Sequence, residues 1–124
     1  MNEPFRTRRF KPIAPHERPH RRRAAVRIVV TDGRRVLMFM DTDPGIPGSK
    51  WWLTPGGGID VGESQIEAAA RELAEETGLT VAPTQLRGPI MERTVVHGFS
   101  DQVLIQTESF YALQHPVFEV DTSG

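Results

Sequence analysis

The sequence contains no cysteine among its 124 residues, which excludes disulfides, zinc–thiolate sites and a catalytic thiol. It also lacks an apolar run long enough to cross a membrane and an N-terminal apolar block of the secretory type. The first twelve residues are rich in arginine but contain no serine, so they do not resemble a transit peptide. These absences favour a cytoplasmic protein that makes no membrane contact.

The bulk composition is that of an ordinary soluble domain. Hydrophobic residues make up 38% of the chain and charged residues 25%. A chain of this length supports one domain with one modest core, and no internal repeat divides it.

Positive charge is unevenly distributed, although the net charge is only −1. Residues 1–27 carry nine of the fifteen Lys and Arg residues, whereas the rest of the chain carries fourteen of the sixteen Asp and Glu residues. Four prolines among the first nineteen residues predict an extended arm over residues 1–22, ahead of a domain over residues 23–124. Such an arm is either a solvated tail or a segment that attracts phosphate groups.

Alternation and turn signals predict a domain of several strands and one helix, in the α/β or α+β class. The Asp32-Gly33 pair predicts a tight turn between the first two strands. Pro55 and the three glycines that follow it predict a turn or a close approach of two backbones, not regular structure. The predicted strands cover residues 24–30, 36–40, 51–54, 85–92, 94–97 and 103–113.

The firmest structural prediction is a helix that begins at Ser64 and ends before Gly78. Ser64 and Glu67 have the spacing of a capping box, and Gly78 lies where a left-handed C-terminal cap would end the helix. A narrow apolar stripe at helical spacing, with small alanines, predicts close packing of this helix onto a sheet. The stripe consists of Ile66, Ala69, Ala70 and Leu73.

Three carboxylates are crowded near the end of this helix. Glu72, Glu75 and Glu76 fall within an arc of about 100°, where like charges repel and the helix dipole disfavours negative charge. A solvated acidic face is one explanation. The other is a divalent cation, because Mg²⁺ binds one or two carboxylates together with substrate phosphates. In that case Arg71 would neutralise or orient a neighbouring carboxylate, and Glu63 would join the cluster.

The residues around this helix resemble a known motif. Gly57, Glu63, Arg71, Glu72, Leu73, Glu75, Glu76, Gly78 and Leu79 match every defined position of the Nudix box, G-x5-E-x7-R-E-U-x-E-E-x-G-U, where U is aliphatic. A match of this length arises by chance on the order of once in a billion starting positions at average composition. The chain is similar to Nudix hydrolases from about Arg23 to its C-terminus.

The resemblance implies an α/β/α sandwich around a mixed β-sheet and a hydrolase that cuts the pyrophosphate of a nucleoside diphosphate derivative with water. It implies Mg²⁺ or Mn²⁺ as cofactor, with Glu72 and Glu76 as principal ligands. It further implies that Glu75 assists them, that the Gly56 carbonyl adds an oxygen, and that Glu63 is a lesser ligand acting partly through water. Arg71 would hold a box glutamate through a salt bridge. The implied catalytic set is Glu72, Glu76, Arg71 and Glu75.

Several other residues are candidates for substrate contact. Trp51 and Trp52 face opposite sides of a predicted strand, so one belongs to the core and the other is free to stack on a nucleobase. Gly57 and Gly58 would lie against the substrate. His97 and His115 lie near predicted turns and are expected at the surface.

The C-terminus departs from the family pattern. Nudix hydrolases usually continue with another strand and a helix, whereas this chain ends in a predicted loop, where Glu119 and Asp121 are the remaining candidates for a further carboxylate. The chain is then either a C-terminally truncated fragment or a subunit covered by a partner, for which a homodimer is the simplest form. Nucleic acid is an unlikely partner for the enzyme. The alternative is a non-catalytic Nudix-fold module that binds a nucleotide or a nucleic acid.

Overall fold

The computed structural model describes residues 11–121, and the first part of the predicted arm, residues 1–10, lies outside the described residues. Within residues 11–121, no helix combines the length and apolar character needed to cross a membrane. The helix and strands follow one another as β1 (His20–Thr31), β2 (Phe39–Asp41), β3 (Trp51–Leu53), β4 (Gly56–Gly58), α1 (Gln65–Thr77), β5 (Arg87–Gly98) and β6 (Val103–Gln114), with 3₁₀ turns at Pro15–Glu17 and Pro83–Gln85.

The main sheet has four strands in the order β4-β1-β6-β5. β1 pairs in parallel with β6 over twelve residues, from His20 opposite Val103 to Thr31 opposite Gln114. β4 and β5 add to its two sides as antiparallel strands, so the sheet is mixed. β2 and β3 form a separate antiparallel pair. The mixed sheet with one packed helix agrees with the predicted fold class.

The hydrophobic core lies between α1 and one face of β1. Val26, Ile28 and Val30 of β1 alternate toward the helix, because successive strand residues face opposite sides. Ala69 and Leu73 of α1 are fully buried against them. The small alanines allow the close helix–sheet packing that the apolar stripe predicts.

Both predicted ends of α1 are confirmed. The Ser64 hydroxyl accepts a hydrogen bond from the Glu67 backbone N–H at 3.2 Å, and the Glu67 carboxylate accepts one from the Ser64 N–H at 3.0 Å. Gly78 closes the helix in the left-handed conformation, with φ of 77°. These local signals place the helix correctly to within one residue at each end.

The prediction for the three glycines was partly wrong. Gly56–Gly58 form regular structure, the short strand β4, which pairs with Ala25, Val26 and Arg27 of β1. The close backbone approach was right, since a Cβ at Gly56 would collide with the Val26 carbonyl oxygen. Glycine forms a strand here because the neighbouring strand provides hydrogen bonds that local propensity does not anticipate.

Two strand predictions also differ from the structure. Among the described residues, the predicted strand 36–40 pairs with β1 only at a Thr31–Val36 bridge, and the regular part, Phe39–Asp41, pairs with β3 instead. The predicted segments 85–92 and 94–97 merge into the single strand β5, which carries an irregularity between Arg87 and Met91. The turn at Asp32-Gly33 is present, with the Asp32 carboxylate accepting the N–H groups of Arg34 and Arg35 at 2.9 and 2.7 Å.

Replacing Ser64 tests how much the N-terminal cap of α1 stabilises the folded protein. Ser64→Ala removes the acceptor for the Glu67 N–H, and we expect a loss of about 1 kcal/mol in the free energy of unfolding. The measurement is urea denaturation followed by circular dichroism. Thr80→Ala, an exposed hydroxyl just beyond the helix, serves as the control with a change within about 0.5 kcal/mol. Equal effects of the two substitutions would contradict the capping role.

Candidate functional site

The acidic end of α1 is assembled around one arginine. The Arg71 guanidinium makes two hydrogen bonds to Glu63, at 2.8 and 2.9 Å. It also bonds Glu72 at 3.0 Å and Glu75 at 3.2 Å, and its remaining Nη2 donor reaches the Gly58 carbonyl at 2.9 Å. Arg71 therefore joins the helix, the preceding loop and β4 in one network.

Charge explains how this crowding is tolerated. Hydrogen bonds that Arg71 donates to the carboxylates, to Glu63 first, raise the pKa of Arg71 well above its ordinary value, so the guanidinium stays charged. The same bond from Arg71 lowers the pKa of Glu63. One cation is thus shared by several carboxylates, which leaves an excess of negative charge at this end of the helix.

Glu72 and Glu76 lie one helical turn apart and both face β4. Glu72 is 8% exposed, and its carboxylate occupies the space beside Gly57. The Gly56 N–H donates to the Glu76 carboxylate at 3.3 Å. The two carboxylates therefore line the same side of the strand, and the backbone of Gly56 lies within reach of Glu76.

The three glycines of β4 separate two different environments. A Cβ on Gly57 would meet the Glu72 carboxylate at 2.5 Å. On the opposite face, a Cβ on Gly58 would lie 3.3 Å from Nη1 of Arg23, and one on Gly56 would lie 2.9 Å from Cδ of Arg27. β4 thus has carboxylates on the helix side and arginines on the other side, and the absence of side chains lets both approach its backbone.

The donor set fits a hard divalent cation that binds together with a substrate. Among residues 11–121, no three Asp, Glu or His side chains converge as a complete metal site. Glu72 and Glu76 provide two carboxylates, and Mg²⁺ usually takes one or two carboxylates with the remaining positions filled by water and phosphate oxygens. The pair therefore fits Mg²⁺ or Mn²⁺ with phosphate and does not fit a cation held by protein side chains alone.

A groove opens beside this acidic end, between α1 and the β2–β3 pair. Its volume is about 330 Å³. Its lining includes both apolar side chains and carboxylates, so it offers both apolar surface and hydrogen-bond acceptors. The lining residues are Phe39, Met40, Asp41, Leu53, Thr54, Glu75 and Glu76.

The two tryptophans lie on opposite faces of β3, as their adjacency predicts. Trp51 is half-buried and contacts Phe99, with ring centroids 6.2 Å apart. Trp52 is 64% exposed and lies opposite Met40 of β2. Among residues 11–121, the lining of the groove includes neither tryptophan ring. A stacking role for Trp52 stays a prediction.

Sequence reasoning missed a buried charged group on the sheet face opposite α1. Nε of Arg27 and Nε of Arg93 each donate to the Glu108 carboxylate at 2.8 Å, and the Gln106 amide donates to it at 2.7 Å. Burial acts to raise the pKa of Glu108, but the hydrogen bonds from Arg27 and Arg93 outweigh it and hold the pKa below its usual value. Alternation along β1 was the available signal, since Arg23 and Arg27 share the face opposite its apolar residues.

The expectation that His97 lies at the surface was wrong. His97 is half-buried and stacks on Phe99 with ring centroids 5.8 Å apart. Burial lowers its pKa, so the ring is neutral at neutral pH. Its Nε2 is buried without a hydrogen-bond partner among the described residues. The predicted turn begins only at Phe99, because β5 continues through His97 to Gly98.

Adding one methyl group at Gly57 tests whether the Glu72 carboxylate fills the space beside this residue. Gly57→Ala places a Cβ in the space of the buried Glu72 carboxylate, and we expect a loss of about 1–3 kcal/mol in the free energy of unfolding. Gly98→Ala is the matched control, because a Cβ there would meet no atom within 4 Å. Urea denaturation of both variants measures the difference. A tolerated Gly57→Ala would show that Glu72 does not occupy this space.

The Arg71–Glu63 pair predicts a specific pH dependence. Because the pKa of Glu63 is lowered from its ordinary value of 4.5, its ionised form stabilises the folded state above that value, and this contribution is lost as the pH falls through the lowered pKa. We expect the wild type to be more stable than Glu63→Gln at neutral pH and the difference to shrink at acidic pH. Urea midpoints across this range measure it. Glu92→Gln, an exposed substitution of the same kind, is measured as the control, and a constant Glu63→Gln difference across this range would contradict the pairing.

Comparison with known proteins places this geometry in context. The family profile described as NUDIX domain matches residues 21–123. An RNA pyrophosphohydrolase of Brucella anthropi is 38% identical over 73 residues, which are 55% of this chain and 41% of that protein. The chain thus matches about two fifths of the length of this curated relative.

Two solved structures share the fold. The E. coli dihydroneopterin triphosphate pyrophosphohydrolase superposes with a TM-score of 0.63 at 23% identity, over 84% of this chain and 76% of that one. A bifunctional NMN adenylyltransferase/ADP ribose pyrophosphatase of Francisella tularensis, in complex with AMP and a Mn ion, superposes with a TM-score of 0.54 at 22% identity, over 83% of this chain and 31% of that one.

Proposed function

The chain belongs to the Nudix family, and from this we propose that it hydrolyses the pyrophosphate bond of a nucleoside diphosphate linked to another group. Water attacks phosphorus in this reaction, and a divalent cation is required. The observation that carries the proposal is the placement of Glu72 and Glu76 along one side of β4, one of them buried and both next to backbone that carries no side chain.

Residues 23–124 form the proposed catalytic domain, preceded by the arm over residues 1–22. The family match from residue 21 supports this boundary. In the structure His20, Arg21 and Arg22 already pair with β6, so the last three residues of the arm belong to β1. The role of the arm's first ten residues stays a prediction.

Glu72 and Glu76 would hold the cation, Mg²⁺ or Mn²⁺, with Glu75 and the Gly56 carbonyl as further oxygen donors. When bound, the cation polarises the phosphoryl oxygens and lowers the pKa of a bound water so that hydroxide is available. Phosphoryl transfer needs positioning and charge stabilisation more than covalent help. The protein side chains supply that positioning.

Arg71 and Glu63 act as positioning residues. Both oxygens of Glu63 accept from Arg71, and one also accepts the Asp60 N–H at 3.0 Å, which favours a structural role over direct metal contact. Arg71 in turn restrains Glu72. The network fixes the orientation of the buried carboxylate before any substrate arrives, which reduces the reorganisation needed at the site.

The groove beside Glu75 and Glu76 would receive the substrate. Phe39 and Leu53 provide apolar surface for a base or sugar, and the carboxylates bring the metal-bound phosphates to its edge. The substrate class includes nucleoside triphosphates, ADP-ribose, dinucleoside polyphosphates and dinucleotide cofactors. Because the curated relative is an RNA pyrophosphohydrolase, a 5′-triphosphorylated RNA belongs in the same test, even though nucleic acid was expected to be an unlikely partner.

Glu76→Gln tests the proposal directly. Removing the negative charge of this carboxylate should lower the rate of Mg²⁺-dependent hydrolysis of the preferred substrate by at least about hundredfold. Substituting a residue that only hydrogen-bonds to a metal ligand already lowers metal affinity or activity by about ten- to hundredfold. Product release is followed by chromatography across the substrate panel. Glu92→Gln, an exposed substitution of the same kind on β5, should keep full activity.

A binding assay separates the enzyme from the binding-module alternative. Manganese binding measured by electron paramagnetic resonance should be weakened by Glu76→Gln and unaffected by Glu92→Gln. Turnover of no substrate by the wild type, with nucleotide binding retained, would support a non-catalytic module. Full activity of Glu76→Gln would refute the assigned role of Glu76.

A further inference from the structure

The wall of the groove that β2 and β3 form needs support from the rest of the domain. The two strands pair with each other over three residues, and among the described residues neither belongs to the main sheet. An isolated two-stranded pair is marginally stable at best in water. Phe39, Asp41 and Leu53 of this pair nevertheless line the groove beside Glu76. The position of the wall therefore depends on the contacts that tie the pair to other elements.

One end of the β2–β3 pair is tied to β1. Just ahead of β2, the Leu37 N–H donates to the Val30 carbonyl at 2.9 Å. Shortly after β3, the Pro55 carbonyl accepts the Ile28 N–H at 2.8 Å. These bonds fix the open end of the pair, whereas the connecting loop, residues 42–50, lies at its other end. A second attachment at the loop would hold the wall at both ends.

Asp43 provides this second attachment. Its carboxylate accepts the Ser100 N–H at 2.6 Å and the Ser100 hydroxyl at 2.7 Å, in the turn between β5 and β6. It also accepts the Gly45 N–H at 2.8 Å within its own loop. Asp43 and Ser100 are each 1% exposed. Burial of a carboxylate is unfavourable unless hydrogen bonds compensate it, and the bonds from Ser100 form only when the loop lies on this turn.

The packing around these bonds is close. A Cβ on Gly45 would collide with the Ser100 side chain and would lie 3.1 Å from Cγ of Pro12. The Ser100 carbonyl accepts the Ile13 N–H at 2.9 Å, so the segment ahead of β1 meets the loop and the turn at the same point. We call Asp43, Gly45 and Ser100 the loop anchor.

The loop is also closed on itself, which connects the loop anchor to the groove. Oγ1 of Thr42 donates to the Ser49 carbonyl at 2.6 Å, and the Asp43 N–H donates to the Ser49 hydroxyl at 3.0 Å. Asp41, which lines the groove, lies two residues before Asp43. A loop cross-linked in this way moves as a unit, so a shift of Asp43 would also shift Asp41.

We propose that Asp43 is a positioning residue, which holds the β2–β3 wall in place and thereby sets the affinity of the groove for the nucleotide substrate. The inference rests on the proposed function for the identity of the ligand. Among the described residues, the lining of the groove does not include Asp43, so it acts through the wall and not by contact. A wall fixed in advance loses less conformational entropy when the substrate binds, which strengthens binding.

Steady-state kinetics separate this role from one in the chemical step. Asp43→Ala should raise KM of the preferred substrate about tenfold, the range of a lost hydrogen bond to a charged group. It should leave kcat within about threefold, because a displaced wall weakens binding of the substrate and of the transition state alike. If no substrate is turned over, the dissociation constants of ATP and ADP-ribose, measured by isothermal titration calorimetry, replace KM.

Three comparisons make this kinetic result specific. Manganese affinity without nucleotide should be the same in Asp43→Ala and in the wild type, because Glu72 and Glu76 belong to α1. Asp43→Asn keeps one acceptor oxygen and should recover part of the lost substrate affinity. Glu92→Ala removes an exposed carboxylate on β5 and should behave like the wild type. An unaltered KM in folded Asp43→Ala, or a parallel loss of manganese affinity, would overturn the proposal.

A second measurement needs neither substrate nor metal. The Trp51 ring of β3 contacts Phe99, the residue before Ser100, with centroids 6.2 Å apart. In a Trp52→Phe background, Trp51 is the remaining tryptophan of the chain. Adding Asp43→Ala should make its fluorescence more sensitive to quenching by acrylamide, because β3 is no longer held against the turn. Unchanged quenching in the folded variant would overturn the proposal, and thermal denaturation identifies whether a variant is folded.

A second variant disrupts the loop anchor without removing charge. Gly45→Ala places a methyl group against the Ser100 side chain, so it should raise KM and Trp51 quenching in the same direction as Asp43→Ala. It keeps the test available if Asp43→Ala does not fold. Gly98→Ala is the matched control, since a Cβ there would meet no atom within 4 Å. Wild-type KM and quenching in Gly45→Ala would contradict the close contact.

The outcomes also separate this inference from the proposed function. Metal-dependent hydrolysis that is lost in Glu76→Gln, together with wild-type KM and quenching in Asp43→Ala, would remove the positioning role and keep the enzyme. Weaker binding of ATP or ADP-ribose by Asp43→Ala, with no substrate turned over by the wild type, would keep the positioning role and remove the enzyme. Increased quenching without any change in KM or in nucleotide binding would overturn the effect on the groove.

Discussion

Arg71 is the residue on which the geometry of the acidic site depends, because it lies between carboxylates that would otherwise repel one another. Its single positive charge is distributed over Glu63, Glu72 and Glu75 and anchored to the Gly58 carbonyl. Without it, Glu72 would be a buried carboxylate at the unfavourable end of a helix dipole. With it, Glu72 is held toward β4 while an excess of negative charge remains. The site thus keeps a local electrostatic cost, which the proposed divalent cation would relieve.

β4 converts this arrangement into a site with two sides. Three residues without side chains let the Glu72 carboxylate approach from the helix and Arg23 and Arg27 approach from the opposite face. A Cβ on Gly57 would collide with the Glu72 carboxylate, so ordinary side chains on this strand would force these charges further apart. The short strand therefore does more than fill the edge of the sheet: it sets the distance between the Glu72 carboxylate on one side and the arginines on the other.

The parts of this protein that could be predicted from its sequence are those encoded locally. The capping box at Ser64, the glycine cap at Gly78 and the turn at Asp32 each involve residues within a few positions of one another, and all are present. The fold class and the family followed from fixed spacings within one helix and its flanks. The strand character of β4 and the Glu108 network were not predictable in this way, because they depend on pairing between β1 and segments about 30 and 80 residues further along the chain. A glutamate in Thr107-Glu108-Ser109 carries no local sign that two arginines will surround it.

The parallel pairing of β1 with β6 has a consequence for how the chain acquires its structure during synthesis. His20 lies opposite Val103, a partner made 83 positions later. At ribosomal rates of about 5–20 residues per second, Val103 is synthesised roughly 4–17 s after His20. During that interval the backbone groups of β1 that pair with β6 have no strand partner, as expected for topologies dominated by non-local contacts. The arginines spaced along β1 interrupt the apolar run of this strand, and charge at such positions limits self-association of nascent chains.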